Sequence, residues 1–189
     1  MKILFLGYEN CKLLEFLSLT HEVKQTHKKI DTNFAKKFDF IISFGYKHII
    51  ANEIISLFNK NIVNLHISYL PYNKGYYPNF WSFVDDTPKG VTIHLVDTGI
   101  DTGDILIQRE VKFTDKEDTL AKTYTRLVEE IQNMFIENAS DILSGGIQPK
   151  KQQKAGKLNY KKDLQKYMDI LNEGWDTKTN KLWKIKERT

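Results

Sequence analysis

Two hydrophobic periods alternate through the first hundred residues of this chain, and that alternation limits the folds open to it. Residues 2–6 closed by Gly7, 22–26, 38–44 closed by Gly45, and 62–65 read as short strands. Between them, residues 11–19, 32–37 and 48–58 carry apolar side chains at helical spacing, the second with Asp31 or Thr32 as a cap. Strand and helix in strict succession predict a mostly parallel sheet with helices on both faces, an α/β fold. Residues 90–96 then alternate Val91, Ile93 and Leu95 against Thr92, His94 and Val96, and a glycine-containing turn over 97–104 leads to another strand over 105–113. A turn between two strands predicts antiparallel pairing, so the sheet is expected to be mixed. Residues 119–143 form one long amphipathic pattern, ended by Gly145 and Gly146.

The residues after Gly146 differ in character. Of the net charge of +4, residues 150–189 carry +7 and the remainder −3. The bland reading of such a basic stretch is a solvated helical surface, and no nucleic-acid role is favoured. Residues 150–157 read as a loop and 161–171 as a helix, with Trp175, Leu182, Trp183 and Ile185 as apolar anchors. We expect a catalytic unit over 1–146 and an arm over 147–189, packed on the core or forming a homodimer interface. A 41% hydrophobic content is enough for one core. Cys11 is the only cysteine, so no internal disulfide forms, which fits a reducing compartment. The apolar run at the start is too short for a signal peptide, and nothing approaches the ~18 apolar residues that span a bilayer. The expectation is a cytoplasmic protein without a membrane partner. The histidines and acids show no metal-ligand spacing.

The chemistry gathers at Asn64-Leu65-His66. Side chains two apart on a strand share a face, so Asn64 and His66 are neighbours at a strand end. An amide donor beside an imidazole suits acyl transfer: one stabilises an oxyanion and the other moves protons near neutral pH. Ser68, Leu70-Pro71, Lys74-Gly75 and Pro78 come next, then Gly90-Val91-Thr92 with His94, then Asp97-Thr98-Gly99-Ile100-Asp101-Thr102-Gly103-Asp104. This line, spread over about forty positions, resembles the folate-dependent formyltransferase family, with its three-layer Rossmann-like fold.

The resemblance implies a catalytic trio at Asn64, His66 and Asp101, with N10-formyltetrahydrofolate as formyl donor. Asp101 is expected to favour the imidazolium form of His66, which with Asn64 would donate to the developing oxyanion. Folate contacts are implied at Phe44, Gly45, Tyr46, Ile49 and Ile50 and at Thr98, Gly99 and Ile100. His94 is expected to be structural. Only Gly7 stands after the first strand, where a dinucleotide fingerprint would need three glycines, so no dinucleotide cofactor is expected.

Residues 72–79 point to the acceptor. Their Pro- and Tyr-rich run, together with Asn159-Tyr160-Lys161 and Gly174-Trp175-Asp176, is similar to the nucleotide-sugar N-formyltransferases. That implies a dideoxy-amino sugar on dTDP or a similar nucleotide, with Gly7, Tyr8, Lys74, Gly75, Tyr76, Tyr77 and Pro78 as substrate residues. Tyr76 and Tyr77 would stack on a sugar or base and Lys74 would pair with a diphosphate. Two alternatives stand beside it: phosphoribosylglycinamide formyl transfer, and a non-catalytic folate- or nucleotide-binding module.

Overall fold

A computed structural model describes residues 1–113, 118–153 and 156–183. The elements run β1 (Lys2–Gly7), α1 (Lys12–Ser18), β2 (Glu22–Thr26), α2 (Thr32–Ala35), β3 (Phe40–Phe44), α3 (Asn52–Phe58) and β4 (Ile62–His66). They continue with β5 (Lys74–Gly75), α4 (Pro78–Val84), β6 (Gly90–Leu95), β7 (Ile105–Glu110), α5 (Leu120–Glu137), α6 (Ala139–Ser144), β8 (Leu158–Asn159) and α7 (Asn180–Trp183). Six strands form one sheet in the order β2-β1-β3-β4-β6-β7. The first four pair in parallel and β6 and β7 are antiparallel, giving the expected mixed α/β sheet.

Strand alternation builds the layers. Ile3, Phe5, Phe40, Ile42 and Phe44 enter one core with Leu13 and Leu17 of α1 and Leu127, Ile131 and Phe135 of α5. Leu4, Leu6 and Ile41 point the other way, into a second core with Ala35 of α2 and Ile54 and Phe58 of α3. The half of the sheet built from β4, β6 and β7 is different. Val63, Leu65, Val91 and Ile93 join the first core. The intervening Asn64, His66, Thr92 and His94 are polar, and the second core does not include them.

Several sequence expectations shift. The third helix starts at Asn52, not at residue 48, because the chain leaves β3 through Gly45 at φ 70° and Ala51 is still extended. The long helix breaks at Asn138, whose side-chain amide donates to the Met134 carbonyl and whose backbone leaves the helical region. Residues 161–167 form a 3-10 helix in place of the α-helix expected over 161–171. The Asp163 carboxylate accepts from the Tyr160 N–H and Asp163 N–H donates to the Tyr160 carbonyl, which ties the entry of this helix in a tight turn. Lys74–Gly75 and Leu158–Asn159, where no strand is expected from the sequence, pair as a parallel ribbon.

The segment after Gly146 packs within the chain. Leu171 and Leu182 are buried with Phe80, Trp81 and Phe83 of α4 and Leu120 of α5. The anchors expected at Ile185 and the Trp183 side chain lie outside the described residues. Ile131 on α5 is fully buried in the first core. Ile131→Ala is expected to lower the unfolding free energy by about 3 kcal/mol in urea titration, the usual loss for a cavity at such a site.

Candidate active site

Asn64 and His66 project from the polar face of β4, opposite β6, where Asn64 is in register with His94 and His66 with Thr92. Ser43 of β3 is in register with Asn64 and continues the face. Burying such a face requires partners for every polar group, and loops supply them. The Thr92 hydroxyl donates to the Ser68 carbonyl and accepts from the Leu70 N–H, and Gln108 of β7 donates to both Thr92 Oγ1 and the Leu70 carbonyl. These bonds lay residues 68–73 over the sheet.

Asp101 enters from the loop between β6 and β7. Its backbone is left-handed at φ 52°, which a residue with a β-carbon adopts only when its surroundings hold it there. Asn64 Nδ2 donates to Asp101 Oδ1 at 3.2 Å, and the Gly75 N–H donates to Oδ2 at 2.8 Å. His66 Nδ1 lies 3.6 Å from Oδ2, and His66 Nε2 donates to the Asn73 carbonyl at 3.1 Å. The three residues expected from the sequence are therefore in one cluster, with the His66 and Asp101 side chains 8% and 11% exposed.

Two further residues belong to this cluster. His94 donates from Nδ1 to the Leu95 carbonyl at 2.8 Å, which leaves the Nε2 lone pair 3.1 Å from Asn64 Nδ2. Its Nε2 also lies 3.5 Å from Asp101 Oδ1. His94 is thus a buried, satisfied histidine, as expected, but its partners are the trio. Cross-strand register would have shown this, and register is not readable from one strand. The second residue, Gln152, had no sequence signal. Its Nε2 donates at 2.9 Å to the backbone carbonyls of both Asp101 and Gly103. Two residues earlier, Lys150 exchanges backbone hydrogen bonds with Ile105, so Gln152 prolongs a ladder with its side chain. A β-carbon on Gly103 would run into the Leu95 carbonyl, so only glycine permits this path of the loop.

The electrostatic balance differs from the sequence expectation. Burial pulls the His66 imidazole below its ordinary 6.5 and outweighs the opposing pull of Asp101. Burial also opposes ionisation of Asp101, but His66, His94 and the Gly75 N–H outweigh it and hold the carboxyl well below the usual carboxylate range. At neutral pH Asp101 carries the charge and His66 is neutral. The expected resting imidazolium is corrected accordingly: an almost fully buried ring loses more hydration than one carboxylate returns.

The other expected residues are placed unevenly. Phe44 points into the first core, on the face opposite Asn64, because Ser43 holds the in-register position. Ile50 is 7% exposed and packs in the second core, whereas Ile49 and Ile100 are 77% and 40% exposed on their two loops. Tyr46 is half-buried and its hydroxyl donates to the Lys28 carbonyl. Thr98 and Gly99 are exposed in a turn tied by Asp97, which accepts from the Gly99 N–H and the Thr102 hydroxyl. The Tyr8 ring takes the place a β-carbon on Gly45 would need, and its hydroxyl pairs with that of Tyr124, so Gly7 and Tyr8 are not drawn into the trio. Tyr76 is exposed, Tyr77 caps α4 from the left-handed region, and Pro78 is buried at the first helical position. Lys74, expected to face a diphosphate from a loop, is buried in β5. Among the described residues no cluster of His, Cys, Asp or Glu could hold a metal ion, and no helix is long and apolar enough to cross a membrane.

The family model described as formyl transferase matches residues 9–139. The chain is 32% identical over 139 residues to dTDP-4-amino-4,6-dideoxyglucose formyltransferase of Mycobacterium tuberculosis, covering 73% of this chain and 58% of that protein. It is 30% identical over 168 residues to methionyl-tRNA formyltransferase of Thermodesulfovibrio yellowstonii, covering 85% and 53%. The chain thus spans a little over half the length of the curated relatives it matches. Among solved structures it is similar to the formyltransferase PseJ of Anoxybacillus kamchatkensis, with a TM-score of 0.92 and 46% identity, covering 96% of this chain and 97% of that one. That structure is a complex with UDP-4,6-dideoxy-4-formamido-L-AltNAc and tetrahydrofolate.

The depressed His66 value carries a sign. Below 6.5 the unfolded chain binds a proton that the folded chain refuses, so stability falls as pH drops through that window. Asp101 acts in the same direction at lower pH, because its charge is stabilised only in the folded state. Urea midpoints measured from pH 6.5 to about pH 5 should therefore decline less in His66→Gln than in the parent.

Proposed function

Because the chain belongs to the formyl transferase family, we propose that it moves a formyl group from N10-formyltetrahydrofolate to the 4-amine of a nucleotide-linked 4-amino-4,6-dideoxy sugar. The observation that carries this reading is the bonded cluster of Asn64, His66 and Asp101 on one buried sheet face. The solved relative at 46% identity supports a UDP sugar, and the mycobacterial relative at 32% supports a dTDP sugar; both are named for a nitrogen at carbon 4 of a 4,6-dideoxy sugar. The sequence preference for thymidine is accordingly placed second to uridine.

The donor supplies a formyl group that a neutral amine can attack. Two exposed apolar side chains, Ile49 and Ile100, on the loops after β3 and after β6 suit the faces of its flat ring. Asn64 Nδ2 is a side-chain amide donor beside the carboxylate, and turning one of its hydrogens from His94 Nε2 to the formyl oxygen would stabilise charge there. Neutral His66 accepts the proton that the amine releases as the tetrahedral intermediate forms, Asp101, facing Nδ1, stabilises the charged ring, and the ring returns the proton to N10 as the bond from the formyl carbon to tetrahydrofolate breaks. At rest the trio holds one negative charge and no positive one, and the imidazolium arises only during transfer.

Purified protein is incubated with the folate donor and a panel of UDP- and dTDP-linked 4-amino sugars, glycinamide ribonucleotide and initiator methionyl-tRNA, and products are weighed by mass spectrometry. A gain of one formyl group on a nucleotide sugar is expected. His66→Ala, Asn64→Ala and Asp101→Ala should each lower kcat/KM by roughly 10²–10⁴-fold. Formylation of glycinamide ribonucleotide alone would overturn the acceptor assignment.

Gln152 holds the backbone of Asp101 and Gly103 through its Nε2. Gln152→Ala is expected to lower kcat by roughly tenfold, with KM for the donor little changed, as for loss of a group that fixes a reacting geometry. Steady-state kinetics on the same acceptor provide the check.

A further inference from the structure

His66 meets a different kind of group at each ring nitrogen. Nε2 lies 3.1 Å from the backbone carbonyl of Asn73, and Nδ1 lies 3.6 Å from Asp101 Oδ2. The first distance is a hydrogen bond and the second is not. A carbonyl oxygen can only accept, so the bond at Nε2 exists only when that nitrogen carries a hydrogen. In a neutral imidazole the other nitrogen is then a lone pair. Nδ1 therefore faces Asp101 without a hydrogen bond of its own, yet it is not one of the polar atoms that the fold seals from solvent without a partner. The capped nitrogen is the donor, and the open one is the base.

The carbonyl that makes this choice belongs to a residue with its own support. Asn73 is 2% exposed and left-handed at φ 53°, a conformation that Asn adopts more readily than other residues with a β-carbon. Its Nδ2 donates to Thr87 Oγ1 at 2.7 Å. The Thr87 N–H in turn donates to the Ser82 carbonyl on α4, a helix buried along its whole length. Asn73 is thus tied through Thr87 to a fixed element. Two residues further on, the Gly75 N–H holds Asp101 Oδ2 at 2.8 Å. Residues 73–75 therefore grip the histidine by a carbonyl and the aspartate by an N–H, and so set the gap between ring and carboxylate.

We propose that Asn73 and Thr87 are positioning residues that set the tautomer of His66, so that Nδ1 is the nitrogen that takes up a proton. The Thr87 hydroxyl fixes the Asn73 side chain, the fixed side chain holds the left-handed turn, and the turn aims the carbonyl at Nε2. This latch works against its neighbour. Asp101 by itself favours the other tautomer, because a carboxylate attracts an N–H. In that tautomer Nδ1 carries the hydrogen and has no lone pair to offer, so it cannot take a proton from an attacking amine. With the latch in place, the incoming proton settles between Nδ1 and Oδ2, and the charged ring has an acceptor at each end. The consequence for rate rests on the proposed formyl transfer, whereas the tautomer itself does not.

A spectrum taken without substrate separates the latch from the transfer reading. The full chain, labelled with heavy-nitrogen histidine, is studied by NMR at neutral pH and above, and His66 is identified by the signals missing from His66→Gln. In the parent, Nε2 should show the shift of a protonated nitrogen and Nδ1 that of a lone pair. Thr87→Val loses the hydroxyl, and Asn73→Gly loses the amide while tolerating the left-handed backbone. Each should move both shifts toward their mean, the mark of two tautomers in exchange, and Thr87→Ser should restore the parent values. On a formyl-accepting sugar, kcat/KM of Thr87→Val should fall roughly tenfold and recover in Thr87→Ser. A parent ring protonated at Nδ1, or at both nitrogens, overturns the proposal. An unchanged tautomer in both Thr87→Val and Asn73→Gly also overturns it, because the carbonyl is then aimed without them. A signature lost in Thr87→Val and restored in Thr87→Ser, in a protein that formylates no acceptor, supports the latch and removes the transfer reading instead. Should Thr87→Val fail to fold, Asn73→Gly and the parent spectrum still decide.

Discussion

The strict two-residue period of β4 and β6 is the constraint on which the site depends. Val63, Leu65, Val91 and Ile93 are claimed by the core beneath α5. Their neighbours Asn64, His66, Thr92 and His94 are thereby forced onto the opposite face, and a one-residue slip of either strand would exchange the two sets. A buried polar face is expensive unless every group on it is paired, so the loops that cross it are not free to take other paths. Residues 68–73 are pinned by Thr92 and Gln108, and the Asp101 loop by Asn64, Gly75 and Gln152. The apolar half of the pattern makes the fold, and the polar half organises the chemistry.

That division explains what can be read from the sequence. The succession of strands and helices and the mixed sheet follow from local periodicity, and the motif from Asn64 to Asp104 carries its residue types at fixed separations. Long-range partners do not have this property. By its own strand His94 reads as structural, because its role depends on standing opposite Asn64 across two strands thirty residues apart. Phe44 is implied as a folate contact by the family resemblance alone; only the pairing of Ser43 with Asn64 shows that Phe44 faces away. Lys74 reads as a loop residue because two-residue strands such as β5 and β8 leave no periodic trace. Helix boundaries are hidden for a related reason: Asn138 ends α5 through its own side chain, within a hydrophobic pattern that runs on.

Burial decides the charge state of the trio. A carboxylate beside an imidazole ordinarily raises the imidazole, and here Asp101 does so, yet the buried ring loses more hydration than it gains. The carboxylate survives as an anion because His66, then His94 and then the Gly75 N–H together outweigh its burial, whereas the imidazole has only Asp101 and the Asn73 carbonyl against the same loss of hydration. A neutral imidazole beside a committed anion is suited to take up a proton, as the proposed attack by an amine requires.

The segment over 150–159 completes this geometry from outside the matched family region. Lys150 joins the start of β7, Gln152 reaches the carbonyls of Asp101 and Gly103, and Leu158–Asn159 pair with the strand whose Gly75 N–H holds the Asp101 carboxylate. One short stretch thus braces Asp101 at its backbone directly and at its side chain through β5. A left-handed residue with a β-carbon needs such bracing, since its own backbone preference pulls it elsewhere. The core of the family fold supplies Asn64 and His66 on rigid strands, while the third member sits on a loop that is only as precise as its supports. Because those supports come from one segment, a change there that loosens Gln152 or the pairing with β5 shifts Asp101 at its backbone and its carboxylate together.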